Sequence, residues 1–237
     1  GALWVVVPVW LKLRFGVIEV ISTLLLNFVA EALVSLVVQG PLQEPTHIYP
    51  QSDTIAAAAR LPFLAGTRLH AGFVLATAAM LLFWYVFART VWGFQLRAAG
   101  LGPRAAQISG GIDSQRIGAV ALLLSGALAG LAGGVEVSGV SYALYQNLSP
   151  GYGFTGIAVA LLGGLHPVGV FIAGILIGGL EAGAGAMQRD AGVPSVAVYV
   201  VESVIIVVAA LATAPRGGWT GARVIRRIRT SAQRVIG

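Results

Sequence analysis

Apolar residues in this chain come in long unbroken runs separated by short polar stretches, not in strict alternation. Five such runs, at 17–38, 69–87, 117–137, 168–187 and 195–213, stand out. A helix needs about 20 residues to cross some 30 Å of hydrocarbon, so each of the five reads as a membrane span. Two further runs, at 1–11 and 154–165, are too short to cross alone and read as partial helices. Trp84 and Tyr85 fall near one end of their span, where interfacial aromatics belong. Between the spans, Pro41, Pro45, Pro50 and Pro62 rule out a helical extension over 39–68 and predict an irregular segment. Gly163, Gly164 and Pro167 predict a turn after the second short run.

Composition sharpens this into a class. Of 237 residues, 57% are apolar, 10% are charged and 32 are glycine. A soluble domain carries about 25% charge, and disorder requires low hydrophobicity. Both are excluded, leaving an all-α polytopic membrane bundle in a single domain over 1–237. Without cysteine there is no disulfide framework or thiol nucleophile, and the three dispersed histidines (His47, His70, His166) spell no metal motif. No cofactor is expected. His166, beside Pro167, reads as a turn residue. The chain opens with Gly1 inside an apolar run, without a basic region before it or a cleavage site after it. That start reads as an N-terminal truncation rather than a signal peptide.

Charge then assigns sides. The net charge of +6 does not mark a nucleic-acid-binding face, because the basic residues fall between apolar runs. Lys12 and Arg14, then Arg89, Arg97, Arg104 and Arg116, then Arg216, Arg223, Arg226, Arg227, Arg229 and Arg234 share one side if spans alternate. That side holds 12 of the 15 basic residues, leaving Arg60, Arg68 and Arg189 for the other. Basic loops stay cytoplasmic. The loop 89–116 and the tail 214–237 are therefore expected inside and the proline-rich segment outside, provided that 154–165 enters as a half helix and turns back at 163–167.

The inner loop, RTVWGFQLRAAGLGPRAAQISGGIDSQR at 89–116, is longer than the 2–8 residues that usually join helices. Pro103 suits the first position of a helix and Gly110-Gly111 suits its end. The loop therefore predicts one short helix between glycines, serving as a solvated basic connector or as a docking element for a cytoplasmic partner. No G-x-x-x-x-G-K-[ST] occurs, so any nucleotide-driven motion must come from another polypeptide.

Six blocks now carry a resemblance: FGVIEVISTLLLNF at 15–28, GPL at 40–42, GFQLRAAG at 93–100, SGALAGLAG at 125–133, SPGYGF at 149–154 and IAVALLG at 157–163. In this order they resemble the ABC-importer permeases of the branched-chain amino acid, ribose and nucleoside superfamily, the nucleoside type most of all. The resemblance implies a bacterial inner-membrane permease subunit with a cytoplasmic C-terminus. Its implied partners are ABC ATPase subunits, a second permease subunit, a substrate-binding lipoprotein and the bilayer. It further implies that Arg97, Gly100, Pro103, Arg104, Ala105, Ala106 and Gly110 couple to the ATPase. The chain lacks the family's N-terminal spans, and has Gly110-Gly111-Ile112 where the family has Ala or Ser before Gly-Ile.

Polar residues inside spans are costly and mark function or packing. Asn27 and Glu31, four apart, share a helix face that points into the bundle, either toward the solute or toward another helix. Glu181, near mid-span, is the third candidate for the pathway, while Glu19, Glu136 and Glu202 fall near span ends. Glycines at intervals of four, Gly126, Gly130 and Gly134 and then Gly174 and Gly178, predict close helix packing. Tyr142, Tyr145, Tyr152 and Phe154 read as interfacial anchors or as stacking partners for a nucleobase. The solute is expected to be a nucleoside, with a sugar or a branched-chain amino acid as alternatives. Uptake driven by an ion gradient through Glu31, Glu181 and Glu202 is the competing mechanism.

Overall fold

The computed structural model describes residues 1–64, 66–67, 69–146, 148–149 and 151–191, with Val200, Ser203, Val204 and Val208 beyond them. The rest of the expected span 195–213, Glu202, the basic tail 214–237 and Arg68 lie outside the described residues. The chain forms two compact units, residues 1–153 and 154–237.

In the first unit, helix α1 (Ala2–Phe15) ends at Gly16, whose φ of 66° is the left-handed conformation glycine adopts freely. The half-span expected over 1–11 is thus longer, because Lys12 and Arg14 extend the helix as its last turn, where cations meet the dipole favourably. Helix α2 (Glu19–Gln39) starts with an acidic residue in its first turn. Helices α3 (Gly72–Arg89), α4 (Val91–Leu101), α5 (Pro103–Gly110) and α6 (Ser114–Glu136) follow. A single π turn, Val137–Ser141, then prolongs α6. Helices α2, α3 and α6 with its π turn are long and apolar enough to cross a membrane, as is the helix over Pro167–Asp190 in the second unit.

The packing polarity follows from close approaches. A Cβ on Gly126 would meet Val5 Cβ at 3.0 Å, one on Gly130 would meet the Gly1 backbone at 2.7 Å, and one on Gly118 would stand 3.8 Å from Lys12 Nζ. So α1 runs antiparallel to α6 along a glycine seam, to which Gly134 adds no neighbour within 4 Å. At the far end of α6, Gly72 at the start of α3 lies against Val135. The ends of α1 and α3 and the starts of α2 and α6 therefore share one end of the unit, which gathers Lys12, Arg89 and Arg116. Among the described residues the buried apolar positions from α1 to α6 are Pro8, Val9, Val38 and Ile112 with three alanines, Ala99, Ala106 and Ala119, while Leu24, Leu25, Phe28 and Leu36 stay open. Lipid offers no hydrophobic drive for helix association, so close packing through small residues takes its place.

The proline-rich segment closes the opposite end. It is stitched to the chain that leaves the π turn: Leu61 N–H donates to Ser138 O (2.9 Å), Ile55 N–H to Tyr142 O (2.8 Å) and Ser52 N–H to Leu144 O (2.8 Å). In the second unit, α7 (Tyr152–Leu162) turns into α8 (Pro167–Ala191) through Gly164 and Leu165, both at positive φ. The turn is tight enough that a Cβ on Gly163 would overlap the backbone of Val170. Along α8, Gly174 faces Val159 at 3.8 Å and Gly178 meets nothing within 4 Å.

Candidate functional site

The segment expected to hold one short helix holds two. Thr90 makes the difference: its Oγ1 accepts from Gly93 N–H (3.1 Å), capping α4, and donates to Val86 O (2.7 Å), tying the cap to α3. Gly93 permits the fold-back, since a Cβ there would come within 2.7 Å of Phe87 Cα. Pro103 then opens α5 and Gly111, at φ 61°, closes it. Asp113 caps α6 through Oδ1, which accepts from Gln115 and Arg116 N–H at 3.1 and 3.2 Å. Asp113 Oδ2 also pairs with Arg116 Nε at 3.0 Å. A small apolar cluster of Ala99, Ala106 and Ile112, flanked by Ala98 and Ile117, holds α4 and α5 together and onto α6.

This hairpin sorts the residues the sequence singled out. Arg97, Gly100, Pro103, Arg104, Ala105 and Gly110 are exposed, whereas Ala106 is buried in the cluster. Two residues escaped the sequence reading. Leu101 is 91% exposed and Ile108 86% exposed, so the hairpin presents bare apolar side chains beside Arg104. Their signal was present: they are the large apolar residues among the small and polar ones of 97–111.

Asn27 and Glu31 are brought together. Asn27 Nδ2 donates to Glu31 Oε1 at 3.1 Å, and both side chains are exposed on α2. They are two members of a longer row. Glu19, Thr23, Asn27, Glu31, Ser35 and Gln39 recur every fourth residue from the first to the last position of α2. Residues four apart line up as one slanted ridge on a helix. At one end of the row Glu19 Oε1 pairs with Lys12 Nζ at 2.9 Å. At the other, Ser35 Oγ accepts from Gln39 and Gln146 Nε2 at 2.9 and 2.8 Å. Glu181, the third pathway candidate, is half-buried on α8 in the second unit.

At the end of the first unit opposite the hairpin, Tyr142 lies under the Arg60 guanidinium, 4.9 Å from its ring centre, and Tyr145 Oη donates to Ser141 O at 2.7 Å. His70 Nδ1 accepts from Gly72 N–H at 3.1 Å, and its ring lies so close to Gly139 that a Cβ there would come within 2.8 Å. Glu44 accepts from Thr46 Oγ1 and Gln51 Nε2, both at 2.6 Å, and from Tyr49 N–H at 3.3 Å. These bonds, that from Thr46 foremost, hold its carboxyl below the usual carboxylate range. Among the described residues no group of three His, Asp or Glu is placed to hold a metal ion.

Comparison with known proteins agrees with this architecture. Residues 1–210 match the family of branched-chain amino acid transport system permease components. The guanosine ABC transporter permease protein of Bacillus subtilis is 39% identical over 91% of this chain and 63% of its own length. The glucose ABC transporter permease protein of Haloferax volcanii is 35% identical over 87% of this chain and 57% of its own. For the nucleoside ABC transporter permease protein of Lactococcus lactis the figures are 34%, 87% and 59%. No solved structure matches the chain. The chain thus spans about three-fifths of these relatives' lengths. With four apolar helices of membrane-crossing length among its described residues and a family match over residues 1–210, this all-α chain is a polytopic membrane protein that belongs to the branched-chain amino acid transport system permease family.

Proposed function

We propose that the chain forms the greater part of a membrane subunit of an ATP-driven importer, carrying a nucleoside or a related sugar-bearing solute across a bacterial inner membrane. The identity to a guanosine permease over 91% of the chain carries this reading. The glucose permease among the relatives favours a sugar as the second reading. The basic end of the first unit faces the cytoplasm, as does the tail. An external binding lipoprotein delivers the solute and a second permease subunit completes the pathway.

Separate ATPase subunits grip the α4–α5 hairpin. Leu101 and Ile108 enter an apolar groove on the ATPase, Arg97 and Arg104 flank it, and Gly100, Pro103, Ala105 and Gly110 shape the exposed surface. Ala106 contributes by holding α5 against Ala99 and Ile112. Because Thr90 ties the hairpin to α3 and the Ser114 hydroxyl, donating to Pro103 O at 3.3 Å, ties it to α6, a push on the hairpin reaches two spans at once. Asn27, Glu31 and Glu181 are the residues assigned to the solute's path.

The test is uptake by the full-length protein with its ATPase and binding protein in cells lacking nucleoside import. Saturable guanosine uptake that falls with ATP depletion and survives a protonophore is expected. Uptake that survives ATP depletion but collapses with the protonophore overturns the reading in favour of ion coupling. Uptake of glucose or leucine alone overturns the nucleoside assignment.

A further inference from the structure

We infer that the middle of the polar row on α2, from Thr23 to Ser35, is one wall of a hydrated lane through the membrane, and that Asn27 and Glu31 bind adjacent hydroxyls of a sugar ring within it. The inference rests on the reading of the chain as part of a nucleoside or sugar pathway and deepens it.

The row runs the length of a span. Six polar side chains at a spacing of four occupy every rung from Glu19 to Gln39, while Leu24, Leu25, Phe28 and Leu36 between them are exposed and apolar. Each rung rises about 6 Å. A polar row of this length facing hydrocarbon would be costly, whereas facing water it is not. The rungs differ in what they have left to offer. Glu19 is taken by Lys12, Thr23 Oγ1 donates back to the Glu19 and Val20 carbonyls, and Ser35 is shared by Gln39 and Gln146.

Among the described residues the central rung holds the row's one carboxylate that is not paired with a cation. Among the described residues Glu31 accepts one hydrogen bond, from Asn27, leaving its second carboxylate oxygen and the Asn27 carbonyl open. Asn27 and Glu31 stand eight residues from Glu19 and Gln39 respectively, so the pair sits at the middle of α2, about 12 Å from either end. A carboxylate is an acceptor-only group with two oxygens, the complement of two neighbouring O–H donors. Asn27 orients it and supplies a donor and an acceptor of its own. Thus a sugar ring finds its charge-assisted partner only at mid-membrane, and neutral rungs above and below let it leave. Binding strong enough to enter yet weak enough to exit is what a pathway requires.

The experiment uses the full-length protein with its ATPase and binding protein in proteoliposomes. Single cysteines are placed at 23, 27, 31 and 35 on the row, and at 25, 29 and 33 off it, any cysteine outside these 237 residues being replaced first. A membrane-impermeant thiosulfonate should label the row at least tenfold faster than the off-row positions, and guanosine should slow labelling at 27. In parallel, uptake of guanosine is compared with that of 2′,3′-dideoxyguanosine. The unmodified protein should prefer guanosine, Glu31→Gln should reduce that preference at least tenfold, Asn27→Ala should reduce it less, and Glu31→Asp should restore part of it. Because the binding protein is unchanged, a change in the ratio belongs to the membrane subunit. Equal labelling on and off the row overturns the lane, as does a row shielded by another helix. A ratio unaltered by Glu31→Gln overturns the hydroxyl site. Absence of guanosine uptake by the unmodified protein overturns the nucleoside reading instead, and the labelling pattern then decides the lane by itself.

Discussion

Lys12 Nζ lies 2.9 Å from Glu19 Oε1, so one ion pair joins the end of α1 to the start of α2, and it does so beside Gly118 of α6, where a Cβ would stand 3.8 Å from the same nitrogen. The pair is partly open to solvent, its side chains 30% and 41% exposed, and such pairs contribute about 1 kcal/mol or less. Lys12→Ala and Glu19→Gln are each expected to lower the melting temperature of the detergent-solubilised protein slightly. The double variant should be no worse than the poorer single one. Additive losses would mean that the two residues act independently.

Gly93 governs how α4 leaves α3. A methyl group there would overlap the Val86 carbonyl and come within 2.7 Å of Phe87 Cα. Gly93→Ala is expected to destabilise by about 1–3 kcal/mol, the usual range for overpacking, and to reduce ATPase co-purification because the whole hairpin shifts. Thermal melting and pull-down of the same variant check both parts.

Leu101 and Ile108, at 91% and 86% exposure, predict the opposite behaviour. Leu101→Asp and Ile108→Asp touch no packed surface, so stability should change by less than about 0.5 kcal/mol while the complex with the ATPase is lost. Ala106→Leu, at a buried position, should instead cost about 1–3 kcal/mol. Loss of the complex on Ala106→Leu alone, with both aspartate variants still bound, would reverse the roles assigned to these faces.

Glu44 makes the proline-rich segment sensitive to acid. Its carboxyl is held below the usual range by hydrogen bonds to the ionised form, from Thr46 and Gln51 first. The folded pKa therefore lies below the unfolded one, about 4.3. The contribution is complete above the unfolded value and fades as pH falls through the folded value. Carbon-13 NMR of the labelled carboxyl is expected to give a midpoint below that of a free glutamate. Glu44→Gln should remove the acid dependence of amide protection at Gln51.

Some of the site was legible before the fold. The spacing of Asn27 and Glu31 put them on one face of α2, and they do meet, at 3.1 Å. The same spacing extends to Thr23, Ser35 and Gln39, which drew no notice because hydroxyls and amides near span ends are common and cheap. Only one helix of the hairpin is legible in 89–116, because Pro103 and Gly110-Gly111 bracket α5 while α4 has no such markers. The Thr90 cap that starts α4 depends on a hydrogen bond back to Val86, which no local pattern announces.

By itself the sequence determined where the long apolar helices of the first unit fall, because backbone polar groups in hydrocarbon must pair within a helix and only long apolar runs can supply one. It also determined that basic residues collect between particular spans. Which faces meet was left to the tertiary structure. Val5 against Gly126, Ala106 inside while Ile108 stays out, and Asn27 and Glu31 exposed on α2 are outcomes of lateral packing. In a membrane protein the lipid-facing and helix-facing sides are both apolar, so the pattern that orients a soluble helix is missing, and close approach at small residues makes the choice instead.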